Sequence, residues 1–334
     1  MTFLRCAATA AFLLSCGSSA AAEAPRVVAT IGPLQSLTAA VMAGVGSPAL
    51  LVPGGASPHA YSLRPSEAAA LQAADLVVWI GPALERFLEE GLDSLAPRAR
   101  RIEVLELAGL TLLEPREGGN WDSHAHDLAG EHSHDEEHDH DDHDEAADGH
   151  EGHGEDDHRY GAVDAHVWLD PRNAQTIVQA IAGTLTELDP EHAAVYRDNA
   201  AGTVERIEGL RGELAAQLAP VAGRPFVVFH DAYGYFERAF SLNAVGSVTV
   251  SPEQQPSARR IAELRTRIRE LGAACLFREP QFAPRLVETL SEGGGLRIGV
   301  LDPLGADLAP GPEAYPRLLR NLADSLSDCL AGGG

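Results

Sequence analysis

The chain has 334 residues, enough for two domains that each bury a core of their own. Its formal net charge is −24, but sixteen acidic residues lie between Asp122 and Asp157, and the remainder carries only about −8. Because no basic region balances this charge, nucleic acid and anionic membranes are excluded as partners.

The first 22 residues have the pattern of a secretory signal peptide. Arg5 precedes a short apolar stretch, and small residues lead to Ala20-Ala21-Ala22. A membrane-spanning helix needs about 20 apolar residues, and neither this stretch nor a later one supplies them. We therefore expect residues 1–22 to be removed on export. Lipid attachment is the alternative, because Leu13-Leu14-Ser15-Cys16 loosely resembles a lipobox.

Export would place the remaining cysteines in an oxidising compartment. Cys275 and Cys329 are the only two after the signal peptide, and an even pair in such a compartment predicts a disulfide. In the chain-entropy model, closing a loop of this length stabilises the fold by about 4 kcal/mol. Two buried free thiols are the alternative.

The chain then alternates strand-like and helix-like patterns. A buried strand from Arg26 is broken by Gly32-Pro33, and residues 34–42 have the apolar spacing of a helix. Further strands are predicted at 50–52 and 76–80, and further helices at 66–73 and 84–95. Strands that alternate with helices predict a parallel sheet.

Residues 120–158 interrupt this order with ten histidines, sixteen carboxylates and almost no apolar side chains. Such a segment cannot bury enough surface to offset its ordering entropy, so we predict a mobile loop. The histidines indicate weak binding of zinc, copper or nickel. A solvated acidic linker is the alternative, although it does not account for ten histidines. We call residues 120–158 the histidine-rich tract.

Beyond the tract, residues 167–171 are predicted to close a strand and 171–188 to form a helix. The run from Pro190 to about Leu218 has the length of a helix of about 40 Å, which would connect two lobes. A second α/β series follows, with strands at 226–229, 247–250, 274–277 and 296–301 and helices at 233–239, 258–271 and 315–330. We predict an α/β fold of two similar parallel-sheet lobes joined by a long rigid helix: an N-terminal lobe at 23–189, a linker helix at 190–219 and a C-terminal lobe at 220–334.

Three histidines outside the tract, His59, His166 and His230, each lie at a predicted strand end or in the loop after it. Because ligands bind beyond the carboxyl ends of parallel strands, residues at such positions in two lobes can meet in one cleft. Three neutral imidazoles suit Zn²⁺, with a carboxylate or water as the fourth ligand. Asp302 follows a predicted strand at an equivalent position. A single histidine at a strand end is more often a structural group, so spacing alone leaves the site open.

Three further polar residues receive other roles. Asp231 and Glu279 are the nearest alternative carboxylates, and we expect them to orient ligands rather than to bind metal. His192, the fourth histidine outside the tract, is predicted to be a solvated residue of the long helix.

Five motifs resemble those of the metal-specific solute-binding proteins of ABC importers, in particular the zinc-binding component. They are GASPHAYSLRPS at 55–66, DAHVWLDP at 164–171, FHDAY at 229–233, EPQF at 279–282 and LDPLG at 301–305. The resemblance covers nearly the whole mature chain.

This resemblance implies a two-lobed fold with Zn²⁺ held in the cleft by His59, His166 and His230. Asp302 matches the position where manganese members and some zinc members supply a carboxylate. Other zinc members have a glutamate just before the first histidine, where this chain has Pro58, so the fourth ligand would be Asp302 or water. The resemblance also implies a histidine-rich loop near the cleft mouth and matches the two cysteines to a disulfide of one branch.

The predicted function is capture of Zn²⁺ in the periplasm and delivery to an ABC permease in the inner membrane, by a monomer that is not an enzyme. A manganese or iron carrier of the same fold is disfavoured, because harder ions prefer more oxygen ligands. A zinc hydrolase is disfavoured, because no general base or serine nucleophile motif accompanies the histidines. A periplasmic zinc buffer without a transporter stays open.

Overall fold

The structure is a computed structural model that describes residues 23–89, 91–116, 121, 163–249, 257–292 and 295–332. The predicted signal peptide lies outside these residues, as does the histidine-rich tract apart from Trp121. No helix in the described part of the chain is long and apolar enough to cross a membrane.

The first lobe is built on a four-stranded parallel sheet of order β2-β1-β3-β4. Its strands are β1 Val27–Ala29, β2 Ala49–Leu50, β3 Leu76–Trp79 and β4 Arg100–Glu103, and its helices are α1 Gly32–Val41, α2 Pro65–Ala73, α3 Arg86–Glu89 and α4 Leu92–Leu95. The central strands β1 and β3 consist of buried apolar residues, as expected when helices cover both faces of a parallel sheet. The charged strand β4 lies at the edge.

The second lobe repeats this architecture, with a parallel sheet of order β6-β5-β7-β8. Its elements are β5 Pro225–His230, α7 Gly234–Phe240, β6 Asn243–Thr249, α8 Ala258–Glu270, β7 Cys275–Arg278, α9 Arg285–Ser291, β8 Arg297–Val300 and α10 Ala314–Ala331. The predicted disulfide is confirmed, because Cys275 on β7 is bonded to Cys329 on α10. The predicted class of two parallel-sheet lobes is therefore correct.

Two long helices, α5 Pro171–Leu188 and α6 Ala193–Leu218, lie between the two sheets in sequence. The 26 residues of α6 correspond to about 39 Å of helix. Helix α6 packs against α1, α5 and α10. Its buried residues recur every three or four positions, which gives it a continuous apolar stripe: Tyr196, Ala200, Thr203, Ile207, Leu210, Leu214 and Leu218.

The lobes are also joined by direct hydrogen bonds of two buried aromatic residues, Trp168 and Tyr315. Trp168 Nε1 donates to Pro303 O at 2.8 Å, and Tyr315 Oη donates to Trp168 O at 2.8 Å. The backbone N–H of Tyr315 donates to Ser36 Oγ at 2.8 Å. One buried apolar cluster runs through both sheets. The lobes are therefore connected by a packed core as well as by the long helix.

Several local predictions were wrong. The predicted strand at 167–171 is a 3-10 turn at Val167–Leu169, because Asp170 caps the following helix by accepting the N–H of Arg172. In place of the predicted helix at 84–95, the described residues form two short helices, α3 and α4, and Gly91 is the N-cap of α4. Strand β4 and helix α9 were not predicted.

Two glycines allow the lobes to approach closely. A Cβ atom on Gly32 would lie 2.8 Å from Leu304 O, and one on Gly54 would lie 2.8 Å from the Cα atom of Ala306. These neighbours are backbone atoms, so they cannot rotate away as a flexible side chain would. Glycine at these positions therefore permits contact between loops of opposite lobes.

Gly54→Ala should destabilise the protein, because its new methyl group would push the loop that carries His59 away from the second lobe. We expect the free energy of unfolding to fall by about 1–3 kcal/mol, measured by thermal or denaturant unfolding. Gly55→Ala is the matched control, since a Cβ atom there meets nothing within 4 Å. Equal stability of the two variants would contradict the close contact.

Candidate metal centre

The three histidines singled out in the sequence meet between the lobes. His230 is the last residue of β5, and His59 lies in a 3-10 turn, Pro58–Ala60, in the loop after β2. His166 is the N-cap of the turn Val167–Leu169. Each is thus placed by a loop or strand end, where a side chain can point into the cleft without disturbing a sheet.

The geometry of these histidines suits one metal ion. Each offers a ring nitrogen, and these atoms all lie within 4.8 Å of one another. The ring centroids are 5.3 to 5.7 Å apart, and Nε2 of His166 lies 3.4 Å from Nε2 of His230. His166 and His230 are buried, and His59 is partly exposed. Among the described residues, they form the only such group.

Two carboxylates orient the imidazole rings through their Nδ1 atoms. Asp164 Oδ1 lies 2.7 Å from Nδ1 of His166 and also accepts the backbone N–H of that residue at 3.0 Å. Glu279 Oε1 lies 2.7 Å from Nδ1 of His230. With Nδ1–H donating to a carboxylate, the Nε2 atom of each ring carries the lone pair that can bind a metal. This arrangement fixes both tautomer and ring orientation.

The charge around His230 favours its protonated form when no metal is bound. Burial alone would lower the pKa of His230. The carboxylate of Glu279, helped by Asp231 and Asp164, outweighs burial and raises this pKa above its ordinary value. A proton therefore competes with a metal ion for this ligand.

Apolar side chains line the pocket around the imidazoles. Trp168, Phe282, Leu84, Pro303 and Leu304 contribute to its wall. Phe282 stacks on Phe229, with ring centroids 5.0 Å apart. A cation bound to the imidazoles would therefore lie against apolar walls, in surroundings of low polarity where its bonds to nitrogen are strong.

Asp302 has a different environment from the histidines. Its Oδ1 accepts the N–H groups of Leu304 and Gly305 at 3.0 Å and the side-chain amide of Gln281 at 2.8 Å. Its Oδ2 accepts the N–H of Ala306 at 2.5 Å. The same Gln281 amide also donates to Gly54 O at 3.2 Å. Asp302 thus organises a loop of the second lobe against the loop that carries His59.

Two other residues considered in the sequence analysis, Asp231 and His192, lie outside the group of ring nitrogens. Asp231 accepts hydrogen bonds from Arg116 and does not belong to the group of ring nitrogens. His192 lies in the turn before α6, with Nδ1 2.7 Å from Asp189 Oδ2. Sequence reasoning did not single out Asp164, Gln281 or Arg116. For Asp164, a carboxylate two residues before a candidate ligand was the available signal.

Comparison with known proteins identifies the family. Residues 27–329 match the family model of ZnuA, the periplasmic component A of zinc-uptake complexes. The chain is 50% identical over 316 residues to the high-affinity zinc uptake system protein ZnuA of Brucella suis, covering 95% of each. It is 40% identical over 350 residues to the protein of the same name from Paracoccus denitrificans, covering 96% of each.

Solved structures show the same fold. A crystal structure of ZnuA has a TM-score of 0.71 and 27% identity, over 92% of this chain and 99% of that one. A zinc-bound ZnuA deletion mutant has a TM-score of 0.70 and 26% identity, over 92% and 98%. The family match spans both lobes and all three clustered histidines. The chain therefore belongs to the ZnuA family of periplasmic zinc-uptake components.

Proposed function

We propose that this protein captures Zn²⁺ in the periplasm and delivers it to an ABC-type permease of the inner membrane. The observation that carries the proposal is the group of three histidine nitrogens, of which two are backed by carboxylates, in a cleft between two lobes. Imidazole nitrogen is a ligand that zinc favours, and three of them leave one tetrahedral position for a fourth. Membership of a zinc-uptake family supports the same function.

We propose His59, His166 and His230 as the zinc ligands and keep Asp302 or water as the fourth. Both oxygens of Asp302 accept hydrogen bonds from the chain. Binding through this carboxylate would weaken the loop that it organises. These hydrogen bonds favour water, or an Asp302 that binds only through a remaining lone pair.

Binding rather than catalysis is the proposed activity. The two carboxylates beside the histidines are engaged with Nδ1 atoms, so neither is free to accept a proton from a zinc-bound water. We further propose a monomer without nucleic-acid partners, a cleaved signal peptide at 1–22 rather than lipid attachment, and the division into lobes at 23–189 and 220–334 with a linker helix at 190–219.

Replacing any one of the three histidines by alanine should weaken tight zinc binding, measured by competition with a chelator. Removing a residue that only orients a ligand costs about 10- to 100-fold in affinity, and we expect loss of a ligand to cost at least as much. His192→Ala is the matched control, because that histidine lies outside the group. A triple variant that keeps a tight site would overturn the proposed function.

Zinc affinity should fall as the pH drops, and the fall should begin above pH 6.5, the ordinary pKa of histidine, because the pKa of His230 is raised. The folding stability of the metal-free protein should instead fall as the pH rises. The pair of His230 and Glu279 stabilises the fold below the pKa that His230 has in the unfolded chain. This stability is lost as the pH rises through the higher pKa of His230 in the folded protein.

Glu279→Gln tests the cause of that pH dependence. Without the carboxylate, the pKa of His230 falls and the loss of zinc affinity should move to lower pH, in titrations at several pH values. An unchanged pH profile would contradict the assignment of Glu279 as the group that raises this pKa.

Deleting residues 122–158 should remove weak zinc sites and slow acquisition from dilute zinc, while the tight site keeps its affinity. The physical reason is composition, since ten histidines in an acidic segment bind metal weakly and raise its local concentration. Calorimetric titration of the two proteins measures both classes of site. Loss of the tight site on deletion would show that the tract itself supplies its ligands.

A further inference from the structure

Another part of the chain engages each of four carboxylates: Asp164, Glu279, Asp302 and Asp231. Asp164 and Glu279 pair with the Nδ1 atoms of His166 and His230. Asp302 accepts three backbone N–H groups and the Gln281 amide. Asp231 directly follows His230 and is held by a side chain from a distant segment, Arg116. Of the four carboxylates, Asp231 is the one whose hydrogen bonds come from a single cationic side chain.

Arg116 uses its whole guanidinium group to hold two carboxylates, Asp231 and Glu237. Its Nε donates to Asp231 Oδ1 at 3.1 Å and Oδ2 at 3.0 Å, and Nη2 also donates to Oδ1. Nη1 and Nη2 each donate to an oxygen of Glu237 at 2.9 Å. Both carboxylates are largely buried, with side-chain exposures of 7% and 9%. Bonds of this kind are geometrically specific, and a lysine could not reproduce them.

The position of Arg116 is itself fixed. The ring of Trp121 lies over its guanidinium carbon, 3.6 Å from the ring centroid. Three residues earlier, Leu113 N donates to Tyr235 Oη at 3.0 Å and Leu113 O accepts Asp164 N at 2.8 Å. Arg116 is therefore anchored between the segment that carries His166 and the helix that follows His230.

We propose that Arg116 determines which metal the cleft prefers, by holding the Asp231 carboxylate away from the ion bound at the three histidines. This proposal rests on the proposed zinc function. With Asp231 held by Arg116, the protein presents mainly nitrogen ligands, which suit zinc. A released Asp231, one residue from His230, would add oxygen ligands, which suit manganese and other hard ions.

A released Asp231 would also have a reason to approach the cation. Arg116 provides the cationic hydrogen bonds to this buried carboxylate and to Glu237. A buried carboxylate that loses its cation is strongly destabilised, and a metal ion bound beside His230 would be a replacement cation. Removing Arg116 therefore changes the ligand set as well as the charge.

Arg116→Gln should lower the ratio of the Mn²⁺ dissociation constant to the Zn²⁺ dissociation constant by about tenfold. Substitutions of residues next to metal ligands change metal affinity on this scale. A general increase in negative charge would strengthen the binding of both ions and leave the ratio of their dissociation constants unchanged. The spectrum of bound Co²⁺ gives a second readout, because the intense visible bands of a four-coordinate ion weaken when ligands are added. The double variant Arg116→Gln/Asp231→Asn should restore the wild-type ratio and spectrum.

Arg265→Gln is the matched control. Its side chain has the same 29% exposure as Arg116 and also pairs with a glutamate, Glu292, but it lies on α8. This variant should keep the wild-type metal ratio. A folded Arg116→Gln variant with the wild-type ratio and Co²⁺ spectrum would overturn the proposal.

Asp231→Asn keeps the proposal testable if Arg116→Gln does not fold. With Arg116 holding Asp231 away from the metal, the single variant should retain the Co²⁺ spectrum of the wild type. A changed Co²⁺ spectrum would show that Asp231 is already a ligand, and would overturn the proposal. Failure of the proposed zinc function is distinguished beforehand, because it would appear in the unmodified protein as the absence of a tight zinc site.

Discussion

The metal centre depends on two hydrogen bonds between carboxylates and imidazoles. Asp164 and Glu279 each take the Nδ1 side of a ring, and the Nε2 atoms of His166 and His230 then face each other 3.4 Å apart. Without these bonds each ring could rotate or adopt the other tautomer, and the nitrogen atoms would not converge. The cost is a raised pKa at His230, which makes metal capture sensitive to pH.

Contacts between the two lobes stabilise the segments that carry His166 and His59. Trp168, two residues after His166, donates to Pro303 of the second lobe and accepts the hydroxyl of Tyr315. Gln281 bridges Asp302 to the loop that leads to His59. Since these contacts and a common apolar cluster connect the lobes, we expect zinc binding to involve small displacements rather than wide closure.

The fold was largely predictable from local patterns. The apolar run before His230 predicts a buried strand that ends at the cleft, and the apolar spacing of residues 171–188 predicts α5. Residues 167–171 were wrongly predicted to close a strand because Val167 and Trp168 favour that conformation. In the folded chain, the side chains of Asp164 and Asp170 accept nearby backbone N–H groups and stabilise a turn instead.

The details of the site were less accessible to sequence reasoning. Arg116 and Asp231 are 115 positions apart, and Gln281 and Gly54 are 227 apart. No local periodicity reports such pairs, because they arise only when two lobes pack together. The environment of Asp302 is local, but a carboxylate after a strand can bind a metal or cap a loop, and its spacing is the same in both cases.

Anomalous diffraction at the zinc absorption edge, from crystals of the zinc-loaded protein, would locate the bound ion. We expect one strong peak about 2.0–2.1 Å from a nitrogen atom of each of His59, His166 and His230, with the Nδ1 atoms of His166 and His230 still paired to Asp164 and Glu279. A peak elsewhere, or a zinc ion bound through Nδ1 with those pairs broken, would contradict this expectation.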